Sequence, residues 1–121
     1  MSCFAGVRVL ELGSTIAGPF AARLMADFGA DVIKVEPPEG DAVRGMGAHE
    51  KGVSLYAASL MRGKSIVALD LREPDARAAV RKIAATMDVV VENFRPGTLE
   101  RWGLSYETLS KGNPGLILAR V

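Results

Sequence analysis

Three arginines, Arg72, Arg95 and Arg101, each follow a short apolar run by a few residues. A guanidinium fork engages two oxygens of a phosphate or carboxylate at once. Any one of them alone is a solvated surface charge, but three on one edge of a sheet would hold an anionic ligand. Glu36 closes the run Asp31–Glu36, where an acid grips a ribose in dinucleotide-binding proteins. The preceding turn, Gly13-Ser14-Thr15-Ile16-Ala17-Gly18-Pro19, lacks the middle glycine of G-x-G-x-x-G. Without it the backbone is kept from a pyrophosphate, and the two glycines simply turn the chain. Gly63-Lys64-Ser65 resembles the end of a phosphate loop, but Ala58 stands where that loop needs glycine, and a strand follows instead of a helix. His49 is the only histidine and lies in a polar stretch, so no Ser–His–Asp device is expected around it. No His, Cys or Asp cluster has metal-binding spacing, and no metal is expected.

The elements that would position these groups alternate. Val7–Leu12, Asp31–Glu36, Ser65–Leu71, Asp88–Glu92 and Leu116–Val121 read as strands. They are rich in β-branched residues and show little polar alternation, as strands covered on both faces do. Pro19 suits the start of a helix, in which Phe20, Leu24, Met25 and Phe28 fall at helical spacing before Gly29 stops it. Pro74 opens a second helix whose inward stripe is Ala76, Val80, Ile83, Ala84 and Met87, with Arg77, Arg81 and Lys82 solvated. Short helical pieces surround Leu99–Trp102 and Tyr106–Leu109. Residues 39–52 read as a long polar loop, and 53–61 fit helix or strand equally. Strands alternating with helices predict an α/β fold: a mostly parallel sheet with right-handed crossovers and helices on both faces, over residues 1–121. Ligands of such sheets gather at the carboxyl ends of the strands. The turns holding Arg72, Arg95 and Arg101 lie there.

Composition narrows the classes. The chain has 121 residues, enough for one modest domain. A formal net charge of +1 argues against nucleic-acid binding. No apolar run has the length to span a bilayer, so no membrane partner is expected. The one cysteine, Cys3, excludes an intrachain disulfide and is compatible with the cytoplasm. The chain stops within an apolar strand without a polar tail, which predicts a polypeptide that continues or that pairs with another chain.

An ordered set of short motifs carries a more specific reading. It comprises Ala17-Gly18-Pro19, Ala26 to Glu36, Gly40-Asp41 with Arg44, Arg62-Gly63-Lys64-Ser65, Leu69-Asp70-Leu71, Asp88 to Gly97, and Asn113-Pro114. In this order and spacing they resemble the N-terminal part of a family III coenzyme A transferase (the CaiB/BaiF type, which includes α-methylacyl-CoA racemases). The resemblance implies an incomplete N-terminal portion of a Rossmann-like large domain, with coenzyme A or acyl-CoA and a carboxylic acid as substrates. It places the adenosine and phosphate end of coenzyme A against Ile16 and Ala17, against Leu69, Asp70, Leu71 and Arg72, and against Asn93, Phe94 and Arg95, with Arg101 nearby. It further implies a homodimer or a second chain completing the fold.

Two departures from the family pattern matter. Family members can carry an arginine just after the second strand, where this chain has Pro37; either Arg72 or Arg44 supplies the charge, or binding is weaker. The family's catalytic aspartate lies downstream of the fifth strand, and none of Asp27, Asp31, Asp41, Asp70, Asp75 or Asp88 matches it. No catalytic residue is therefore assigned within 1–121. Three readings follow: the coenzyme-A-binding part of a transferase or, in the other branch, of an acyl-CoA racemase; a non-catalytic binding or assembly module; and a dinucleotide oxidoreductase fragment resting on Glu36 and the first turn.

Overall fold

The computed structural model describes residues 2–121. In chain order the elements are β1 (Arg8–Glu11), α1 (Ala17–Asp27), β2 (Asp31–Glu36), a 3-10 turn (Ala42–Gly45), β3 (His49–Glu50), β4 (Val53–Ser54), α2 (Leu55–Met61), β5 (Lys64–Ala68), α3 (Pro74–Ala84), β6 (Val89–Glu92), α4 (Thr98–Arg101), α5 (Tyr106–Ser110) and β7 (Ile117–Arg120).

Five strands make one parallel sheet in the order β5-β2-β1-β6-β7. Parallel neighbours need crossovers, and the helices provide them. The chain builds outward from β1 through β2 to β5, then returns to place β6 on the other side of β1. That reversal opens a crevice at the carboxyl ends of β1 and β6.

Side chains alternate across each strand, so the two faces bury different partners. Leu10, Val35 and Val90 pack with Val80 and Ala84 of α3 and with Leu99, Leu104 and Leu109 around α4 and α5. Val9, Val32 and Val91 pack with Ala22, Met25 and Ala26 of α1 on the opposite face. The expected α/β sheet with helices on both faces is thus what the chain forms. A small separate cluster joins Val43 of the 3-10 turn to Ala57 and Leu60 of α2.

The boundaries differ in informative ways. α1 starts at Ala17, two residues before Pro19, and Gly29 stops it with φ +97°. Its inward face is Pro19, Ala22, Met25 and Ala26, while Phe20, Leu24 and Phe28 are exposed. Of the larger apolar residues that set the helical period, Met25 turns inward, beside the small Ala22 and Ala26 that let α1 approach the sheet closely. The ambiguous stretch 53–61 is both things: Val53–Ser54 pairs with His49–Glu50 in a hairpin, and Ser54 then caps α2. β5 ends at Ala68, short of Leu71. Arg77, expected to be solvated, donates from Nη1 to the carbonyls of Leu71 (3.1 Å) and Arg72 (2.7 Å), tying α3 to the loop after β5. No helix among the described residues is long and apolar enough to cross a membrane.

Candidate ligand crevice

The crevice after the strands holds a cavity of about 500 Å³, a size that takes a small organic ligand. Its walls are apolar: Leu12, Val35, Leu69, Leu71, Phe94 and Trp102. Phe94 and Trp102 meet edge to face, with ring centroids 5.3 Å apart and planes 75° apart. The rim is polar and includes Ser14, Glu36, Glu39, Asp41, Asp70 and Arg72.

Arg72 spans two sides of the rim. Its Nε and Nη2 donate to the Asp70 carboxylate at 2.8 and 2.7 Å, and Nη2 lies 3.9 Å from Glu39 across the opening. The Arg72 side-chain and backbone hydrogen bonds pull the Asp70 carboxyl down to about 2. The first turn is held by Asn93, whose Oδ1 accepts from the Ser14 amide (2.8 Å) and whose Nδ2 donates to the Ser14 carbonyl (2.9 Å). Gly13 is required for this fit, since a Cβ there would meet Asn93 Oδ1 at 2.6 Å; at Gly18 the same contact would be tight, at 3.0 Å.

Behind the rim, on the α1 side, lies a buried charge network. Lys34 Nζ donates to Glu11 Oε1 (2.8 Å) and the Gly13 carbonyl (3.0 Å), and pairs with Asp41 Oδ2 (2.9 Å). Lys64 Nζ donates to Glu11 Oε2 (2.5 Å) and the Pro19 carbonyl (2.7 Å). The side chains of Lys34, Lys64 and Glu11 have no exposed surface. Two cations and two anions balance, which is what makes such burial tolerable. Burial pulls the Lys64 ammonium below the usual lysine range, against the opposing pull of Glu11. Burial alone would raise Asp41, but the Val43 amide and the Lys34 ammonium outweigh it and hold the carboxyl low. Burial would likewise raise Glu36; the Arg44 guanidinium and the Asp41 amide reverse this.

The expected site residues divide into groups. Leu69, Asp70, Leu71, Arg72 and Phe94 line the cavity. Asn93 stands beside it, its amide engaged by Ser14. Ile16 and Ala17 are exposed at the start of α1, where no side chain among the described residues caps the helix. Arg95 and Arg101 are exposed beyond β6 and form no ion pair among the described residues; Arg101 Nη2 donates to Thr98 Oγ1 at 3.1 Å. Arg44 clasps Glu36 through Nε (2.9 Å) and Nη2 (2.7 Å). Both Glu36 oxygens thereby carry a guanidinium hydrogen bond. His49 sits in the hairpin, away from the cavity lining. No group of three or more His, Cys, Asp or Glu among the described residues is placed to hold a metal ion.

Sequence reasoning missed Trp102 as a cavity wall and missed the buried network. A signal for the latter existed. Glu11 and Lys34 are charged residues inside apolar strands, and they stand opposite each other in the β1–β2 register.

Residues 4–121 match the model of CoA-transferase family III. A succinyl-CoA–D-citramalate CoA-transferase of Chloroflexus aurantiacus is 55% identical over 95% of this chain and 29% of its own length. The beta subunit of a succinyl-CoA–L-malate CoA-transferase of the same organism is 48% identical over 97% of this chain and 29% of its own. Among solved structures, a CAIB/BAIF family protein from Brucella suis superposes with TM-score 0.90 at 40% identity, covering 98% of this chain and 33% of that one. The chain therefore spans about 30% of the length of the relatives it matches.

Proposed function

The chain belongs to CoA-transferase family III, and on that premise we propose that the crevice at the strand ends binds the adenosine and phosphate end of coenzyme A. The observation that carries this is the apolar cavity walled by Phe94 and Trp102 and rimmed by Arg72. A flat aromatic base fits such walls, and a guanidinium at the rim suits a phosphate. Arg95 and Arg101, exposed and in no ion pair among the described residues, supply further positive charge beyond β6. The uncapped first turn of α1 at Ile16 and Ala17 presents backbone N–H groups to an anion.

Arg72 takes over the role that an arginine at position 37 would have. It releases Asp70 and Glu39 when a phosphate competes for its fork. Arg44 is the weaker candidate, because it stands outside the cavity lining that Arg72 joins. Glu36 is committed to the Arg44 guanidinium and the Asp41 amide, which weighs against a role on a dinucleotide ribose.

The whole polypeptide would move coenzyme A between an acyl-CoA donor and a carboxylic acid acceptor in the cytoplasm. The chemistry that the family resemblance implies is covalent. An aspartate outside residues 1–121 attacks the thioester carbonyl, the coenzyme A thiolate leaves, and an anhydride forms. The thiolate then attacks the aspartyl carbonyl, releasing the donor's carboxylate and leaving an aspartyl–CoA thioester. The acceptor carboxylate attacks that thioester in turn, and the thiolate completes the exchange. Succinyl-CoA is the first donor to test, because similar proteins named for it share 55% and 48% identity with this chain. An assembly of two chains is part of the reading; the exposed apolar stripe Phe20, Leu24 and Phe28 on α1 supports it.

The test is a calorimetric titration with coenzyme A of the wild type and of Arg72→Ala and Arg95→Ala. Each substitution is expected to weaken binding about 10-fold, the scale of one charge-assisted phosphate contact. Affinity unchanged in both variants would contradict the assignment.

A further inference from the structure

The first turn has the spacing Gly13-x-Thr15-x-x-Gly18, so Thr15 stands at the position of the missing middle glycine. Its backbone takes the conformation that glycine would: φ is +65°, and Thr15 and Lys51 are the non-glycine residues with positive φ among those described. A β-branched residue is strained there and stays only if its surroundings hold it.

The holding group is Asp41. Its Oδ1 and Oδ2 accept from the Thr15 amide at 3.0 and 3.2 Å, and Oδ1 also accepts from the Val43 amide at 3.0 Å. Asp41 is in turn fixed from beneath by Lys34 at 2.9 Å and from the side by Glu36, which accepts from the Asp41 amide at 2.9 Å. The buried network reaches the turn at two further points: Lys34 at the Gly13 carbonyl and Lys64 at the Pro19 carbonyl. The turn is thus gripped on its inner side at Gly13, Thr15 and Pro19 by charged groups that the proposed transfer chemistry does not use.

We propose that Asp41, anchored by the buried Lys34–Glu11–Lys64 network, is a positioning residue for the coenzyme A site. It holds Thr15 in the left-handed conformation and so pre-shapes the Gly13–Ser14 wall of the crevice before ligand arrives. The charge network does for this turn what a middle glycine does in a dinucleotide-binding turn. The inference rests on the coenzyme A reading of the crevice. A turn that is in its binding shape only part of the time lowers the apparent affinity by that fraction.

This predicts a specific rescue. Asp41→Ala removes the hold and leaves Thr15 strained; Thr15→Gly removes the strain itself. In the protein as its source makes it, Asp41→Ala is expected to weaken coenzyme A binding about 10-fold. Asp41→Ala with Thr15→Gly is expected to recover to within about 3-fold of wild type. Val80→Ala, in the core against α3, serves as a destabilised control whose affinity stays unchanged. Asp41→Asn replaces Asp41→Ala in both the single and the double variant if the alanine protein does not fold. Amide hydrogen exchange gives a readout that needs no ligand: the Thr15 and Val43 amides should exchange about 10-fold faster in the Asp41 variant, with α3 amides unchanged. If Asp41 substitution leaves both affinity and those exchange rates at wild-type values, or if Thr15→Gly gives no recovery of affinity, the positioning role is overturned. Should wild type itself fail to bind coenzyme A, the ligand assignment falls, and the exchange rates alone decide whether Asp41 holds the turn.

Discussion

Asn93 and Gly13 show how closely the crevice depends on single atoms. Alanine at 13 would put a methyl group 2.6 Å from Asn93 Oδ1 and 3.2 Å from the Gly18 backbone. Gly13→Ala is therefore expected to destabilise the fold by about 1–3 kcal/mol, the usual cost of overpacking, as measured by denaturant unfolding. The carboxylates of the rim predict the response to acid. Asp41 and Glu36 ionise below their ordinary values of 3.8 and 4.5 when folded. As pH falls through those values the unfolded chain takes up protons that the folded chain refuses, so stability falls. Their contribution is complete above the ordinary values and is lost as pH drops through the lower folded ones. Asp70 extends the window downward, from 3.8 to about 2. Arg44→Gln removes the guanidinium that holds Glu36 ionised, so the acid-unfolding midpoint should move to higher pH; an unmoved midpoint would contradict that coupling. Strand ends pointed to Arg72, and the family resemblance added Asp70 and Phe94. It could not foresee that Arg72 closes on Asp70 and Glu39, which depends on how two loops meet.

At the scale of elements, β2 ties the site to the buried network. Its alternate residues Val32, Lys34 and Glu36 are all buried, and the last two anchor the loop that follows. Lys34→Met would leave Glu11 and Asp41 short of their shared cation. Breaking a buried pair in this way costs about 3–5 kcal/mol, readable as a lowered unfolding midpoint. Ser54 is the hinge between hairpin and helix: its hydroxyl accepts from the Ala57 amide at 3.0 Å and donates to the Met46 carbonyl at 2.6 Å. Ser54→Ala should cost about 1–2 kcal/mol as a lost cap. The strands were legible because β-branched runs between glycines and prolines admit few alternatives. The inward stripe of α3 was legible because Ala76, Val80, Ile83 and Ala84 repeat at helical spacing; Ile83 is half-buried, the others are buried, and Met87, expected to continue the stripe, is buried just past the helix end. For α1 the helix was legible but its buried face was not, because Phe20, Leu24 and Phe28 keep the same period on the outer face. Periodicity alone cannot say which side of a helix meets the sheet when both sides are apolar.

On the scale of the whole molecule, the order β5-β2-β1-β6-β7 places four loop groups at one edge, and the reversal at β1 makes the crevice between them. Alternating strands and helices predicted a parallel sheet. The ordered motif set, beyond any single motif, pointed to the family that residues 4–121 match. The chemistry that the family resemblance implies draws on residues outside 1–121, and the curated relatives extend to more than three times the share matched here. The most direct measurement is a side-by-side calorimetric titration with coenzyme A and with NAD, for the wild type and for Phe94→Ala. Saturable binding of coenzyme A that weakens in Phe94→Ala, with no comparable binding of NAD, is the predicted result. A preference for NAD, or no coenzyme A binding at all, would contradict the assignment of the crevice.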